Sequence, residues 1–480
     1  MDILNNINKS LNPIDSLSLE QEVIFKKYLN GENIFITGPG GTGKSHLIRT
    51  IYYDAENKGR KIKVCALTGC AAILLKCKAT TLHSFAGIGL ANKSIEQVVQ
   101  SVLDNKQKHK NWKGIEILII DEVSMLSLKL LLIIDKIAKK IYNKPDTPFG
   151  GIQIIFTGDF YQLPPVNTND EDKEASMFCF EHPIWNELFE KENQISLKNI
   201  FRQNEKELVK ALNYIRKGKI TKTTLALLES RVRTQEQIEE IKKEKVLTIL
   251  SPIKRDVDNI NKISFENLGS KLEGYSYKIK FVENTTSDGD SSKTLNVNTP
   301  KMKKDSDGLC EDFEALFKKS SAYAKFEYEF LANNIMAEKE LNLKIGTHVM
   351  CIANVDLQSE NQLANGSQGI VVGFRNELPL VKFNTIDHPI LVGYYTWKSE
   401  NNDKIAVAQI PLIYAWAITI HKAQGVTLDS ALIDIGSNIF EYGQSYVALS
   451  RVKGLEGIYL SNLNYNKINA NPKVKAFYGD

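Results

Sequence analysis

Apolar residues in this chain come in short unbroken runs that end in glycine or in polar residues, and stretches with helical spacing separate them. Ser18 stands as a cap before Glu20, Gln21 and Glu22, with Val23, Ile24, Phe25, Tyr28 and Leu29 on the apolar side of the predicted helix. A polar lead-in precedes it. Asn33–Thr37 predicts a buried strand, a glycine-rich turn follows, and Ser45–Tyr53 predicts a helix. Lys63–Leu67, Ile115–Ile120 and Gln153–Thr157 predict further strands, the last two running into Asp121-Glu122 and Gly158-Asp159. Strands that alternate with helices and carry polar residues at their C-terminal ends predict a parallel α/β sheet with its site along that edge.

A second set of strands follows at Val246–Leu250, Ala415–Ile420, Ala431–Ile435 and Gly457–Leu460, the second of them leading into His421-Lys422. Between the sets, residues 283–308 are rich in Ser, Thr, Asp, Asn and Lys, the composition of an exposed or disordered loop. Residues 365–410 are β-rich and punctuated by Gly366, Gly369 and Gly373, which predicts a small all-β insertion in the second domain. No short internal repeat is present.

Composition narrows the classes. A chain of 480 residues is too long for one ordinary core. Its 42% apolar and 25% charged residues exclude a mostly disordered protein. With 61 basic and 57 acidic residues the net charge is +4, which excludes a polycationic arm and leaves room for a local basic groove. The six cysteines show neither CxxC pairs nor zinc-finger spacing, so they read as reduced thiols of an intracellular protein. There is no apolar run of membrane-spanning length, and the start has no basic region followed by an apolar one, so neither a membrane nor secretion is expected. Nucleus, cytoplasm and a viral origin all stay open.

The strongest chemical signal is Gly38-Pro39-Gly40-Gly41-Thr42-Gly43-Lys44-Ser45, a G-x-x-x-x-G-K-[ST] loop between a predicted strand and a predicted helix that continues into His46. Its glycines let successive backbone N–H groups face phosphate oxygens, and the helix N-terminus adds its dipole. Lys44 is expected to reach the β- and γ-phosphates of ATP, and Ser45 to ligate Mg²⁺. Asp121 at the end of a neighbouring strand supplies the second metal carboxylate, and Glu122 the base that orients and deprotonates water. Gln162, in Gly158–Pro165, stands where a strand-end amide can sense the γ-phosphate.

These blocks resemble motifs I, II and III of superfamily-one helicases, and the fuller matches are to the PIF type (petite integration frequency helicases), relatives of RecD. Thr80–Gly89, Pro148–Gln153 and the stretch Ser127–Ile141 resemble that type, as do Phe201-Arg202-Gln203 for motif IV, Thr419–Gly425 for motif V and Tyr446–Arg451 for motif VI. The likeness runs from about residue 17 to 462 and is weakest at 265–335. It implies two RecA-like domains, 1–195 and 196–364 with 411–480, a wedge insertion at about 78–110 and an SH3-like insertion at 365–410.

By the same resemblance, ATP lies between the two domains, Gln21 reads adenine, and Arg202 and Arg451 meet the γ-phosphate. Thr68 and Gly69 match a phosphate-contacting motif on the first domain. His83, Phe85 and Pro164 are further DNA candidates there, although core packing accounts for Phe85 equally well. His421 and Lys422 are the second-domain candidates, and Gly425, in the same turn, is expected to couple DNA to nucleotide. Lys382, Lys398 and Lys404 are either DNA-facing or simply solvated. The implied activity is ATP-driven 5′ to 3′ movement on single-stranded DNA with unwinding of tailed duplexes, by a monomer. A translocase that does not unwind, a non-hydrolysing clamp and an RNA substrate are the alternatives.

Overall fold

The computed structural model describes residues 17–89, 91, 93–165, 172–203, 205–269, 272–283, 322–353, 363, 365–384, 386–399 and 405–480. The polar lead-in, nearly all of the loop expected at 283–308, and Lys404 lie outside them. The chain forms two compact units, residues 1–221 with 441–446 and 468–480, and residues 222–440 with 447–467.

The first unit begins with α1 (Leu19–Leu29), capped by Ser18 in a reciprocal capping box with Gln21. Then come β1 (Ile34–Thr37), α2 (Lys44–Asn57), β2 (Ile62–Ala66), α3 (Gly69–Leu75) and β3 (Thr80–Thr81). In the region expected to form a wedge, α4 (Leu82–Ala86), α5 (Ile95–Leu103) and α6 (Lys106–Trp112) precede β4 (Ile117–Asp121). Next are α7 (Leu128–Ile141), β5 (Gln153–Thr157), β6 (Gln194–Ser196) and α8 (Lys206–Arg216).

The six strands pair in the order β3-β2-β4-β5-β1-β6, all parallel. Every residue of β1, β4 and β5 is buried, as expected of a sheet covered by helices on both faces. β3 and β6 escaped sequence prediction because two or three residues carry no readable period. The unit extends to α8, whose Leu208, Ala211, Leu212 and Ile215 are buried. Its last segment, the helix Pro472–Tyr478, places Phe477 against Phe180 and Trp185.

The second unit holds β7 (Thr248–Ser251) and α9 (Lys254–Asn267), then β8 (Gly274–Lys278), β9 (Lys280–Glu283), β10 (Glu340–Lys344) and β11 (His348–Cys351). β12 (Gln368–Arg375), β13 (Leu378–Phe383), β14 (Ile390–Leu391), β15 (Tyr395–Lys398), β16 (Ile405–Gln409) and β17 (Leu412–Tyr414) follow. β18 (Ala417–Thr419), β19 (Ala431–Ile435) and β20 (Ile458–Leu463) complete it.

The parallel sheet β18-β7-β19-β20 joins the four strands read from the sequence. The five-stranded sheet β14-β13-β12-β11-β17 is antiparallel and so takes in strands on both sides of 365–410. β11 and β17 are short apolar runs placed in it by pairing, β11 with β12 and β17 with β11. Among the described residues, no helix is long and apolar enough to cross a membrane.

Candidate active site

The loop between β1 and α2 is shaped by close contacts that a side chain would prevent. Gly41 has φ +86°, and a Cβ there would stand 2.5 Å from the Cβ of Arg202. Gly43 has φ +81°, and its Cβ would stand 2.7 Å from Nε2 of Gln21. Gln21 thus has two duties: its Oε1 accepts from Ser18 N at 3.0 Å, and its Nε2 donates to Gly43 O at 3.3 Å. Thr42 Oγ1 donates to Pro39 O at 3.1 Å, and Gly40 N donates to the Tyr446 hydroxyl at 3.1 Å. Ser45 is exposed, and His46 N closes the first turn on Gly43 O at 3.1 Å.

Lys44 folds along this loop, its Nζ donating to Gly38 O at 2.7 Å and to Pro39 O at 3.0 Å. Desolvation pushes its pKa down, while the carboxylates of Asp159, Glu122 and Asp121 hold it up. Burial raises the pKa of Asp121; a hydrogen bond from Thr157 Oγ1 and the charge of Lys44 work the other way. Glu122 is left-handed at φ 58°, ψ 41°, a conformation costly for a residue with a Cβ. It breaks β4 at this point and turns the chain away just after Asp121.

A buried carboxylate at a strand end and a serine hydroxyl at a helix start are hard oxygen donors. They fit Mg²⁺, which takes one or two protein oxygens and fills its shell with water and phosphate. Among the described residues no cluster of three or more His, Cys, Asp or Glu forms a metal cage.

The segment after β5 is held from below. Gln162 is buried, its N–H bonded to Asp159 O at 2.8 Å. Asp159 is fully buried and receives both arms of Arg216, Nε at 2.8 Å and Nη2 at 2.7 Å. Arg202 lies across Gly41, and its Nη1 is buried without a hydrogen-bond partner among the described residues. Burial lowers its pKa, while the neighbouring Tyr446 and Glu122 work against that. In the second unit, Arg451 is buried and bonded within its own turn, Nε to Val447 O at 3.0 Å and Nη2 to Ser450 Oγ at 2.8 Å.

A sequence model of PIF1-like helicases matches residues 16–226, and one of the DNA helicase Pif1 2B domain matches residues 328–374. The ATP-dependent DNA helicase RRM3 of Saccharomyces cerevisiae is 30% identical, across 100% of this chain and 69% of its own length. The chain belongs to the PIF1-like helicase family. Another member, the ATP-dependent DNA helicase PIF1 of Emericella nidulans, is 32% identical across 96% of this chain and 62% of its own. The solved structure of Bacteroides sp Pif1 with ADP-AlF4 superposes at a TM-score of 0.71, with 27% identity and 96% of each chain covered. Bacteroides Pif1 bound to ssDNA gives 0.57, with 28% identity and the same coverage. The chain spans less than two thirds of the length of the first curated family members it matches, 62% to 64%.

The DNA candidates carried over from the family divide. Thr68 is half-buried and its Oγ1 accepts from Ala71 N at 3.2 Å, capping α3, which Gly69 opens. Pro164 and His83 are half-buried, and burial lowers the pKa of His83, favouring a neutral imidazole. Phe85 is a core residue: it is 4% exposed and its ring packs 4.7 Å from that of Trp112. The core-packing reading is therefore the one that holds for it. In the second unit, burial lowers the pKa of His421, Lys422 is exposed and lies 3.8 Å from Glu338, and Gly425 is exposed at φ +83°. Lys398 is exposed, whereas the Nζ of Lys382 donates to Ile386 O at 2.7 Å.

Three site residues escaped sequence reasoning. Phe201 is 60% exposed, and its ring lies 3.6 Å from where a Cβ on Gly43 would be. It stood inside a quoted motif, as did Tyr446, and neither side chain had been given a role. Arg216 had no signal, being one basic residue at the end of an amphipathic helix.

Proposed function

We propose that this chain is an ATP-dependent DNA helicase that moves on single-stranded DNA and unwinds tailed duplexes. The observation that carries it is the buried Nη1 of Arg202, without a hydrogen-bond partner among the described residues, on a side chain that lies against Gly41 of the glycine-rich loop with Glu122 and Tyr446 as electrostatic neighbours. A guanidinium in such a place is matched to an anion that arrives with substrate. The complexes of Bacteroides Pif1 with ADP-AlF4 and with ssDNA support the same reading.

In this mechanism Lys44 and the loop N–H groups bind the β- and γ-phosphates. Ser45 and Asp121 hold Mg²⁺, which when bound offsets phosphate charge. Glu122 takes a proton from the attacking water, and Gln162 registers the γ-phosphate. Arg202 stabilises charge on the transferred group, and Arg451 takes the same role on its motif match. Thr68, Gly69, His83, Pro164, His421 and Lys422 contact DNA, with Gly425 coupling that contact to nucleotide. Steady-state ATPase assays with and without single-stranded DNA, and unwinding of 5′-tailed against 3′-tailed duplexes, test the proposal. Stimulated turnover with unwinding of the 5′-tailed duplex is expected. Turnover without unwinding would reduce the protein to a translocase, and no turnover would leave only a clamp.

The base is read on one flank of the loop. With one Nε2 hydrogen and one Oε1 lone pair of Gln21 already used, one donor and one acceptor remain, the complement of the adenine N6 and N7 edge. The exposed face of Phe201 offers stacking. Gln21→Ala is expected to raise KM for ATP about tenfold with kcat within about twofold, and to narrow the preference for ATP over GTP. Kinetics with both nucleotides check this.

A further inference from the structure

The helix Pro472–Tyr478 belongs to the first unit and reaches both the strand before the phosphate loop and the segment that carries Gln162. The Tyr478 hydroxyl lies 2.7 Å from Thr37 Oγ1, at the last residue of β1, and accepts from Phe160 N at 3.4 Å. The Tyr478 ring stacks on Tyr161, centroids 5.1 Å apart and planes within 19°. The Tyr161 hydroxyl donates to Asp480 Oδ2 at 2.6 Å, and Asp480 also pairs with Lys217. The Arg216 guanidinium lies 4.7 Å from the Tyr161 ring centre and 5.7 Å from that of Tyr478. From there it grips Asp159 with both arms. Asp159 Oδ1 in turn accepts from Tyr161 N at 3.2 Å, and its carbonyl accepts from Gln162 N.

The contacts form one path. α8 holds Asp159, Asp159 shapes the turn 159–162, and Tyr478 ties that turn to the residue before the loop. Gly443, in the same unit, lies against it so closely that a Cβ would fall 2.5 Å from Tyr161 O and 2.7 Å from Gln162 O. Such bracing is more than is needed to bury a turn, which the aromatic cluster around Phe160 already does. It fixes where Gln162 stands relative to Lys44. It also neutralises Asp159, a carboxylate whose charge is felt at Lys44 and would otherwise compete with phosphate for that ammonium.

We propose that Arg216 and Tyr478 are positioning residues for ATP hydrolysis, holding the turn that carries Gln162 in register with the phosphate loop. This rests on the ATPase reading above. Their contacts are with Thr37, Asp159, Phe160 and Tyr161, behind Lys44 and Gln162, so the effect is expected in turnover and not in nucleotide affinity.

The test uses the whole chain with Arg216→Lys, which keeps the charge but loses the two-armed grip, and Tyr478→Phe, which keeps the ring but loses the hydroxyl. DNA-stimulated kcat is expected to fall about twentyfold in the first and about fivefold in the second. The Kd for ADP should stay within about twofold and the melting midpoint within about 3 °C. Wild-type kcat in both variants would overturn the assignment. So would a kcat loss matched by an equal loss of ADP affinity or of folded protein, the mark of a purely structural role. If the unmodified chain itself shows no DNA-stimulated ATPase, it is the helicase reading that fails, and this assignment falls with it.

Discussion

Glu122→Gln is expected to cut DNA-stimulated ATP turnover by about 10²- to 10⁴-fold while ADP still binds, and Lys44→Ala to cut both turnover and binding. The two losses differ because the residues act on different atoms. Glu122 sits one residue past Asp121 in a left-handed conformation, so the carboxylate is presented by a strained turn and not by the strand itself. Glutamine keeps size and hydrogen bonding but cannot take a proton. Lys44, in contrast, supplies the charge: its Nζ now bonds Gly38 O and Pro39 O, and a phosphate is the stronger acceptor for it. Desolvation pushes its pKa down, and the carboxylates of Asp159, Glu122 and Asp121 work against that. Removing it takes away about 3–4 kcal/mol of transition-state stabilisation. Coupled ATPase assays and a fluorescent-ADP titration separate binding from turnover. Normal turnover in Glu122→Gln would sink the assignment of the base.

Arg202→Ala is expected to lower kcat by about 10³-fold without lowering the melting temperature. Most buried arginines behave otherwise, because they are paired and their removal strands a partner. Here Nη1 has no hydrogen-bond partner among the described residues to strand, and alanine keeps the Cβ that packs on Gly41. The fold loses a desolvated guanidinium that contributed little, and the reaction loses a charge placed for the transferred phosphate. Arg216 is the internal contrast, because its loss would leave the fully buried Asp159 without its counter-charge. A melting curve beside an ATPase assay reads both effects. A parallel fall of stability and activity in Arg202→Ala would return that residue to a structural role.

The glycine-rich loop, the acidic pair that closes β4 and the glutamine after β5 were legible because each stands at the end of a strand buried on both faces. An unbroken apolar run ending in a polar group leaves little choice of secondary structure or of edge. The strands of the second parallel sheet were legible for the same reason. β3 and β6 were not, since two or three residues hold no period, nor was the pairing of β11 with β17, which joins strands more than sixty residues apart in the chain. Phe85 shows the limit for single side chains: an aromatic beside a helix start reads equally as a stacking platform or as core until Trp112 is found against it.

The sequence by itself determined the parallel α/β architecture, the glycine-rich loop after β1 and which residues carry charge at its rim, because those follow from local pattern and spacing. Only the tertiary structure decided that Arg202 lies across Gly41 with a nitrogen that has no hydrogen-bond partner among the described residues, that Gln21 holds the loop from α1, and that Arg216 and Tyr478 brace the turn before Gln162. Those contacts join residues 22 to 318 positions apart. No local period records such a meeting; it follows from how helices pack onto the sheet once its strand order is set.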